Sequence, residues 1–352
     1  MKKLLNQITN PTGLLRIYGF SLVATLVVWA LVGAYSGFSA FITVVILTLL
    51  EITFSFDNAV INSRVLVTLS RFWQTLFLTV GIVLAVFIVR FFVPILIVAI
   101  TANLSLSGVI QLALHNPHQY AEELHQSGHM IDAFGGTFLL LVGASFFIDA
   151  GKKLHWLRAI ERPLAKAGRW HYFTILTMTL MTAVIYLANL HRYGSDERNA
   201  ILAAGIVAIT LHVVMEIFNK VSNGQKKPSI KQKVGMAAFT SFMYLQLLDA
   251  SFSLDGVIGA FAITSSVVLI AAGLGAGAIW VRSMTIHLVR AGTLTKYKFL
   301  EHGAHWAIVV LGAIMLGKLY GLELPEWATG SVGLVCIAFS IASSVKRPLS
   351  AK

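Results

Sequence analysis

The chain has 352 residues and a net charge of +12; 57% of the residues are hydrophobic and only 12% are charged. Soluble domains are usually about 45–50% apolar and about 25% charged, so this composition excludes an ordinary soluble domain. Repeated apolar runs of about 20 residues indicate membrane-spanning helices instead. The one cysteine, Cys336, permits no disulfide within the chain.

Ten apolar segments predict the fold class, an all-α, polytopic transmembrane helical bundle. The first segment follows a basic start, and its length and its distance from Met1 favour an uncleaved span over a cleaved signal peptide. In chain order the predicted spans are 14–34, 40–63, 73–100, 131–150, 172–190, 200–218, 234–260, 265–287, 303–320 and 327–345.

Lysine and arginine residues concentrate in alternate loops of this predicted topology. They lie before span 1, between spans 2 and 3, after spans 4, 6 and 8, and at the C-terminus. Because Lys and Arg collect on the cytoplasmic side, we expect a protein of the plasma (inner) membrane with both termini in the cytoplasm. Topology then explains the positive charge, and no nucleic acid partner is expected.

Two similar motifs carry acids inside apolar spans. The first motif, Glu51–Val60, is EITFSFDNAV, and the second motif, Asp249–Ala260, is DASFSLDGVIGA. The predicted topology gives the two motifs opposite directions across the membrane. We therefore expect two inverted repeat halves, residues 1–198 with spans 1–5 and residues 199–352 with spans 6–10. Such repeats place a binding site near the middle of the membrane.

The acids in these motifs need compensation, because one ionised acid at mid-membrane costs about 2.5–3.5 kcal/mol on insertion scales. Arg90 and Arg282 are the only basic residues predicted in the middle of spans, so they cannot pair with all four acids. A divalent cation, exchanged for protons, would balance the charge. The motifs offer only hard oxygen ligands, which suit Mg²⁺, Ca²⁺ or Mn²⁺ better than Cu(I) or Zn²⁺. The candidate ligands are Glu51, Ser55, Asp57, Asn58, Asp249, Ser253 and Asp255.

The two motifs resemble the duplicated acidic motif of the TerC-like integral membrane proteins, within the wider lysine-exporter superfamily. The resemblance covers about spans 2–4 and 7–9 and includes EHGAHW at 301–306. It implies export of metal ions, manganese in particular, and a link with tellurite resistance. It also implies metal-binding roles for Glu51, Asp57, Asn58, Asp249 and Asp255. The halves differ, since Gly256 and Asp249 stand where the first motif has Asn58 and Glu51.

Mn²⁺ is therefore the expected substrate, with Ca²⁺ and Mg²⁺ as alternatives, and the lipid bilayer and protons are the other expected partners. Two further functions stay open. One is a non-transporting membrane scaffold or sensor in tellurite or metal stress, with a structural ion at the acids. The other is a small-solute exporter. No catalytic Ser/His/Asp set or nucleotide-binding loop is present in the sequence, so we expect neither an enzyme nor a resident cofactor.

Several polar residues have a structural alternative to a functional role. The four acids could simply join helices by hydrogen bonds, but intramembrane acids usually mark function. Arg90 and Arg282 either line the site or serve as structural partners. The histidines between His115 and Asp132 favour a polar outer loop over a metal-capturing one. His302 and His305 are equally consistent with lining the site and with structural contacts.

The spacing within each motif also predicts a local backbone feature. In a straight helix Glu51, Ser55 and Asn58 share a face, whereas Asp57 lies about 120° from Glu51. One ion held by all four acids would need them to converge. We therefore expect the helix to be interrupted near 54–58 and near 252–256, as in discontinuous transporter helices. The alternative is an unbroken helix that faces two places.

Overall fold

The computed structural model describes residues 13–81, 84–149, 151–152, 154–168, 173–189, 193–223 and 232–347. These residues are almost entirely helical, and their only extended pairing is one isolated bridge. The all-α prediction is therefore confirmed. The chain forms two compact units, Met1–Ser127 with Ile230–Lys296 and Gly128–Ser229 with Tyr297–Lys352. Each unit combines an earlier and a later segment of the chain, and the division into repeat halves at 198/199 stays a prediction.

Fifteen α-helices are numbered here in chain order within the described residues, together with two π-helical segments, Phe77–Gly81 and Leu84–Phe92. The α-helices are α1 (Leu14–Phe54), α2 (Phe56–Leu66), α3 (Arg71–Leu76), α4 (Val93–Thr101), α5 (Leu106–His115), α6 (Pro117–Gln126), α7 (Gly128–Ile148), α8 (Arg158–Ala167), α9 (Phe173–Asn189), α10 (Ser195–Asn223), α11 (Gly235–Ile263), α12 (Val267–Arg290), α13 (Thr293–Lys296), α14 (Leu300–Leu319) and α15 (Glu326–Lys346).

Helix α1 is a hairpin of two arms rather than one straight helix. Its 41 residues would extend about 60 Å, twice the roughly 30 Å hydrocarbon core of a membrane. Gly37 interrupts it with φ 87° and ψ 177°, a conformation that is essentially restricted to glycine. The arms lie side by side, because the Trp29 Nε1 donates to Thr48 Oγ1 at 3.3 Å and Trp29 contacts the Phe41 ring. The two arms correspond to predicted spans 14–34 and 40–63.

Helix α12 packs along both arms of α1 and forms the most extensive helix pair of the first unit. Small residues allow the close approach. A Cβ on Gly273 would lie 2.4 Å from Leu47 Cβ, and one on Gly277 would lie 2.5 Å from Glu51 Cβ. Such small-residue contacts are typical of helices that associate within membranes. They hold the second arm of α1, which carries Glu51, against α12.

The two motif-bearing segments run in opposite directions in the first unit. The segment that follows α2 meets the start of α11: Lys233 N donates to Thr68 O at 2.8 Å, and Ser70 N donates to Lys233 O at 3.0 Å. One motif helix therefore ends where the other begins. This is one requirement of an inverted repeat, although the repeat itself stays a prediction. Lys233 Nζ also donates to Ser241 Oγ at 3.0 Å, and burial lowers the pKa of Lys233.

The second unit is built around α7, which packs against α10 and α14. Glycines face each other across the α7–α14 contact, since a Cβ on Gly136 would lie 3.0 Å from Gly312 O. Helices α8, α9 and α15 complete the described part of this unit.

Seven helices in the described ranges are long and apolar enough to cross a membrane. An eighth crossing is added if the bent pair Arg90–Thr101 and Leu106–His115, which meets at 113°, counts as one span. Helix α9 has 17 residues, fewer than the roughly 20 that a perpendicular crossing requires. The protein is thus a helical membrane protein, and the count of ten spans stays a prediction.

Candidate cation site

The helix that carries the first motif is interrupted at Ser55. Helix α1 ends at Phe54 and α2 begins at Phe56, with Ser55 at φ −97° and ψ 16°. Asp57 consequently lies in the first turn of α2, where Asn58 N donates to its Oδ1 at 2.8 Å. A carboxylate is favoured in a first turn by the partial positive charge of the helix N-terminus. Ser55 N nevertheless donates to Glu51 O at 3.0 Å, and Ala59 N donates to Ser55 O at 3.1 Å. The helical hydrogen bonds thus continue across Ser55, and the unwinding expected near 54–58 is confirmed only as a break of one residue.

The second motif shows no such interruption, and the expectation for 252–256 was wrong. Helix α11 is continuous from Gly235 to Ile263. Ser253, the counterpart of Ser55, is buried, and its Oγ has no hydrogen-bond partner in the described part of the chain. The hydroxyl therefore gives the backbone no competing contact, and the ordinary helical bonds persist. The side chain of Asp255 lies outside the described residues.

Glu51 is held by an arginine. Its Oε1 accepts from Arg90 Nη2 at 2.6 Å and from Ser55 Oγ at 2.6 Å, and both members of the ion pair are buried. Arg90 Nη1 also donates to Leu274 O at 2.8 Å. Arg90 is thus a buried partner of a motif acid and does not extend to the membrane surface.

The two motifs meet through Asn58 and Asp249. Asn58 is buried and its Nδ2 donates to Asp249 Oδ1 at 2.5 Å, while its Oδ1 has no partner among the described side chains. Asp249 is partly buried. The structure therefore joins positions 191 residues apart in the chain, both of which the sequence assigned to one site.

The charges around this contact do not balance. Glu51 repels both Asp57 and Asp249, and Arg90 attracts Asp249. Counted against Arg90, the guanidinium that contacts Glu51, the three described carboxylates leave two negative charges when all are ionised; Arg282 lines the cavity beside Asp249 but donates to Leu78 O. Asp57 is 3% exposed, so water cannot screen this charge effectively. A divalent cation would neutralise it.

A small polar cavity lies beside the contact and is defined here by Asn62, Arg90, Gln246, Asp249 and Arg282. Its volume is about 30 Å³. Several buried polar atoms of its lining lack a hydrogen-bond partner within the described chain: Asn62 Oδ1, Arg90 Nε, and Oε1 and Nε2 of Gln246. Arg282, by contrast, donates through Nε to Leu78 O at 2.6 Å.

The sequence analysis did not identify Asn62 and Gln246, although helical spacing could have. Asn62 lies four residues after Asn58, and Gln246 lies three before Asp249. Residues three or four apart share a helix face. Both amides therefore belong to the same faces as the motif residues.

His302 and His305 belong to the second unit and make structural contacts there. His302 Nε2 is 2.9 Å from Leu154 O and 3.5 Å from Glu161 Oε2. Glu161 is buried in α8 and accepts hydrogen bonds from Trp156 N and Trp306 Nε1. Glu161 thus fastens the loop before α8 to α14. No pattern in the sequence indicated this buried acid, which lies in a basic segment.

The histidine-rich stretch predicted as a polar loop is largely helical. Helices α5 and α6 cover Leu106–His115 and Pro117–Gln126. His115 is exposed and its ring Nδ1 is 3.1 Å from Gln111 O in its own helix. His118 Nε2 is 3.4 Å from Ser265 Oγ. These contacts favour the structural interpretation over metal capture.

The predicted ligands are only partly brought together. In the portion of the chain that the structure describes, no three His, Cys, Asp or Glu side chains converge on one point that could hold a metal ion. Asn58 and Asp249 are in contact, but Glu51 is occupied by Arg90. The arrangement can attract a cation, and complete coordination requires some of these side chains to move.

The chain was compared with known proteins at the level of families, curated sequences and solved structures. The family described as "Protein of unknown function (DUF475)" matches residues 56–350. The match includes Asp57, Asn58 and the second motif, and begins after Glu51. No curated protein and no solved structure matches the chain.

Proposed function

We propose that this chain, which belongs to the DUF475 family of proteins of unknown function, is a transporter of divalent metal cations, with Mn²⁺ as the main substrate. It lies in the plasma (inner) membrane with both termini in the cytoplasm. Export of the metal follows from the resemblance to the TerC-like proteins, and its exchange for protons would balance the charge of the buried acids.

The observation that carries the proposal is the hydrogen bond between Asn58 and Asp249. It brings the two acidic motifs together within apolar helices, at a place where carboxylates outnumber the one arginine that contacts them. Uncompensated acids in a membrane are costly, and they usually mark a pathway for ions or protons. Two excess negative charges correspond to one divalent cation.

The donor atoms support a hard cation. Asp57, Asn58 and Asp249 offer carboxylate and amide oxygens, which suit Mn²⁺, Mg²⁺ and Ca²⁺. The interruption at Ser55 supports transport as well, because irregular backbone at membrane depth is tolerated where it lines a cavity.

The test is uptake of metal by proteoliposomes that contain the purified protein. We expect saturable uptake of Mn²⁺ that competing Mg²⁺ or Ca²⁺ reduces more than Zn²⁺ does, together with opposite proton movement reported by a trapped pH dye. Protein-free liposomes are the control. Saturable metal binding without uptake would contradict transport and favour the scaffold or sensor. Absence of both binding and uptake would contradict a cation site altogether.

A further inference from the structure

Arg90 occupies an oxygen that a metal at the motif would need. Its Nη2 lies 2.6 Å from Glu51 Oε1, and metal–oxygen distances for these ions are about 2.0–2.6 Å. Arg90 and Ser55 both donate to Oε1, so a metal that leaves these bonds in place can reach only Oε2, beside a guanidinium that repels it. Departure of Arg90 would free Oε1 for the metal and remove this repulsion.

The structure offers Arg90 a second position. Arg90 also lines the small cavity, where the buried oxygens Asn62 Oδ1 and Gln246 Oε1 have no donor in the described chain. Arg90 Nε itself has no acceptor there. A guanidinium carries five N–H donors and no acceptor, so it matches these two oxygens. Unpaired buried acceptors destabilise a protein, and a visiting guanidinium would remove that cost.

We propose that Arg90 is a tethered cation that competes with the divalent metal for Glu51. When the metal binds, the guanidinium moves to Asn62 and Gln246; when Arg90 returns, it helps to expel the metal. This inference rests on the proposed transport of divalent cations and adds a selectivity device to the same site. A monovalent cation gains nothing by replacing one positive charge with another at Glu51, whereas a divalent cation does. Arg90 thus disfavours Na⁺ and K⁺ at Glu51.

The experiment measures Mn²⁺ affinity by calorimetry in detergent and Mn²⁺ uptake in proteoliposomes. In Arg90→Gln we expect Mn²⁺ to bind at least tenfold more tightly, uptake to fall at least tenfold because release is slow, and Na⁺ to become a competitor of Mn²⁺. Arg282→Gln is the matched control, because it removes an equal charge from a guanidinium that donates to a backbone carbonyl. Equal tightening in Arg282→Gln would indicate general electrostatics and overturn the proposal.

A second variant leaves the ion pair intact and tests the alternative position. Gln246→Met keeps the side-chain length but removes the acceptor that receives Arg90. We expect about fivefold weaker Mn²⁺ binding, because the displaced Arg90 guanidinium then lacks the Gln246 acceptor. If Arg90→Gln does not fold, Gln246→Met still tests whether Arg90 competes with the metal. Unchanged or tighter binding in Gln246→Met overturns the proposal, as does unchanged or weaker binding in a folded Arg90→Gln.

The outcomes separate this inference from the function on which it rests. A wild-type protein that neither binds nor transports divalent cations overturns both. A wild-type protein that transports Mn²⁺, together with an Arg90→Gln variant that binds it no more tightly and ignores Na⁺, overturns only the competition by Arg90.

Discussion

Asn58 and Arg90 both contact motif acids, but their contacts have different consequences. Asn58 joins the first motif to Asp249 without neutralising it, whereas Arg90 cancels the charge of Glu51. Asp57 has neither kind of side-chain partner in the contacts described above, and its carboxylate accepts from the backbone of Asn58 and of Asp57 itself. The charge available to a cation is therefore concentrated on Asp57 and Asp249.

Neutralising either of these acids should stop transport without harming insertion. In Asp57→Asn and Asp249→Asn we expect Mn²⁺ uptake to fall at least a hundredfold, since each variant removes one of the two excess charges. Membrane insertion should be unchanged or improved, because a neutral side chain enters the membrane more easily. Uptake assays and the yield of membrane-embedded protein measure the two effects. Near-normal uptake in both variants would remove these acids from the site.

Replacing Glu51 should have a different effect, because it leaves the buried Arg90 without its carboxylate partner. Breaking one side of a buried ion pair typically costs about 3–5 kcal/mol, whereas replacing both sides with apolar groups is often tolerated. We expect Glu51→Gln to lower thermal stability by that amount and Glu51→Gln with Arg90→Met to recover most of it. Thermal unfolding in detergent provides the measurement. If the double variant were as unstable as Glu51→Gln alone, the ion pair would not be the reason.

The residue types of the site could be predicted from the sequence, but their partners could not. Duplicated acids in apolar spans are visible as a pattern, and they identified Asp57, Asn58 and Asp249. The pairing of Glu51 with Arg90 and the unpartnered amides of Asn62 and Gln246 depend on how helices far apart in sequence are placed. Nothing in a single sequence fixes that placement.

The helices, like the residues of the site, could be predicted from the sequence only in part. Apolar length was enough to locate the two arms of α1, because a 41-residue stretch is too long for one crossing. The interruption at Ser55 followed from the angular conflict between Glu51 and Asp57. The same argument failed in the second motif, where α11 stays continuous and any convergence of its acids must come from the neighbouring helices.

The contact between α1 and α12 allows a test at the scale of whole helices. A methyl group on Gly277 would lie 2.5 Å from Glu51 Cβ and 3.1 Å from Thr48 O, so Gly277→Ala must push the helices apart. Overpacking of this kind costs about 1–3 kcal/mol, and it would also displace Glu51. We expect lower thermal stability and reduced Mn²⁺ uptake.

Gly19→Ala is the matched control for this substitution. Gly19 lies in α1, the helix that packs against α12, but a Cβ there meets no atom within 4 Å. Replacing glycine by alanine inside a helix is usually stabilising by roughly 0.5–1 kcal/mol. Equal losses of stability in Gly19→Ala and Gly277→Ala would show that the α1–α12 approach is not as tight as the structure indicates.

At the scale of the whole molecule, the composition predicts the membrane environment and the helical class. The position of a segment in the chain, by contrast, does not indicate which compact unit it belongs to. Each compact unit draws on two separate stretches of the chain. Both acidic motifs fall in the same unit because the segment from Ile230 to Lys296 joins the N-terminal segment. Hydropathy reports only how apolar each helix is, so it cannot reveal which helices associate.

The orientation of the first unit gives the last prediction. Arg71 is exposed at the start of α3, close to the paired segments at Leu69 and Lys233, and His125 is exposed near the end of α6. From the basic residues around Arg71 we expect that end of the unit to lie in the cytoplasm, and one predicted crossing, 73–100, separates the two positions. With Cys336→Ser as the background, a membrane-impermeant maleimide added to intact cells should label His125→Cys and spare Arg71→Cys. Both cysteines should react after the membrane is permeabilised. Labelling of Arg71→Cys from outside would reverse the topology, and labelling of both in intact cells would mean that 73–100 does not cross the membrane.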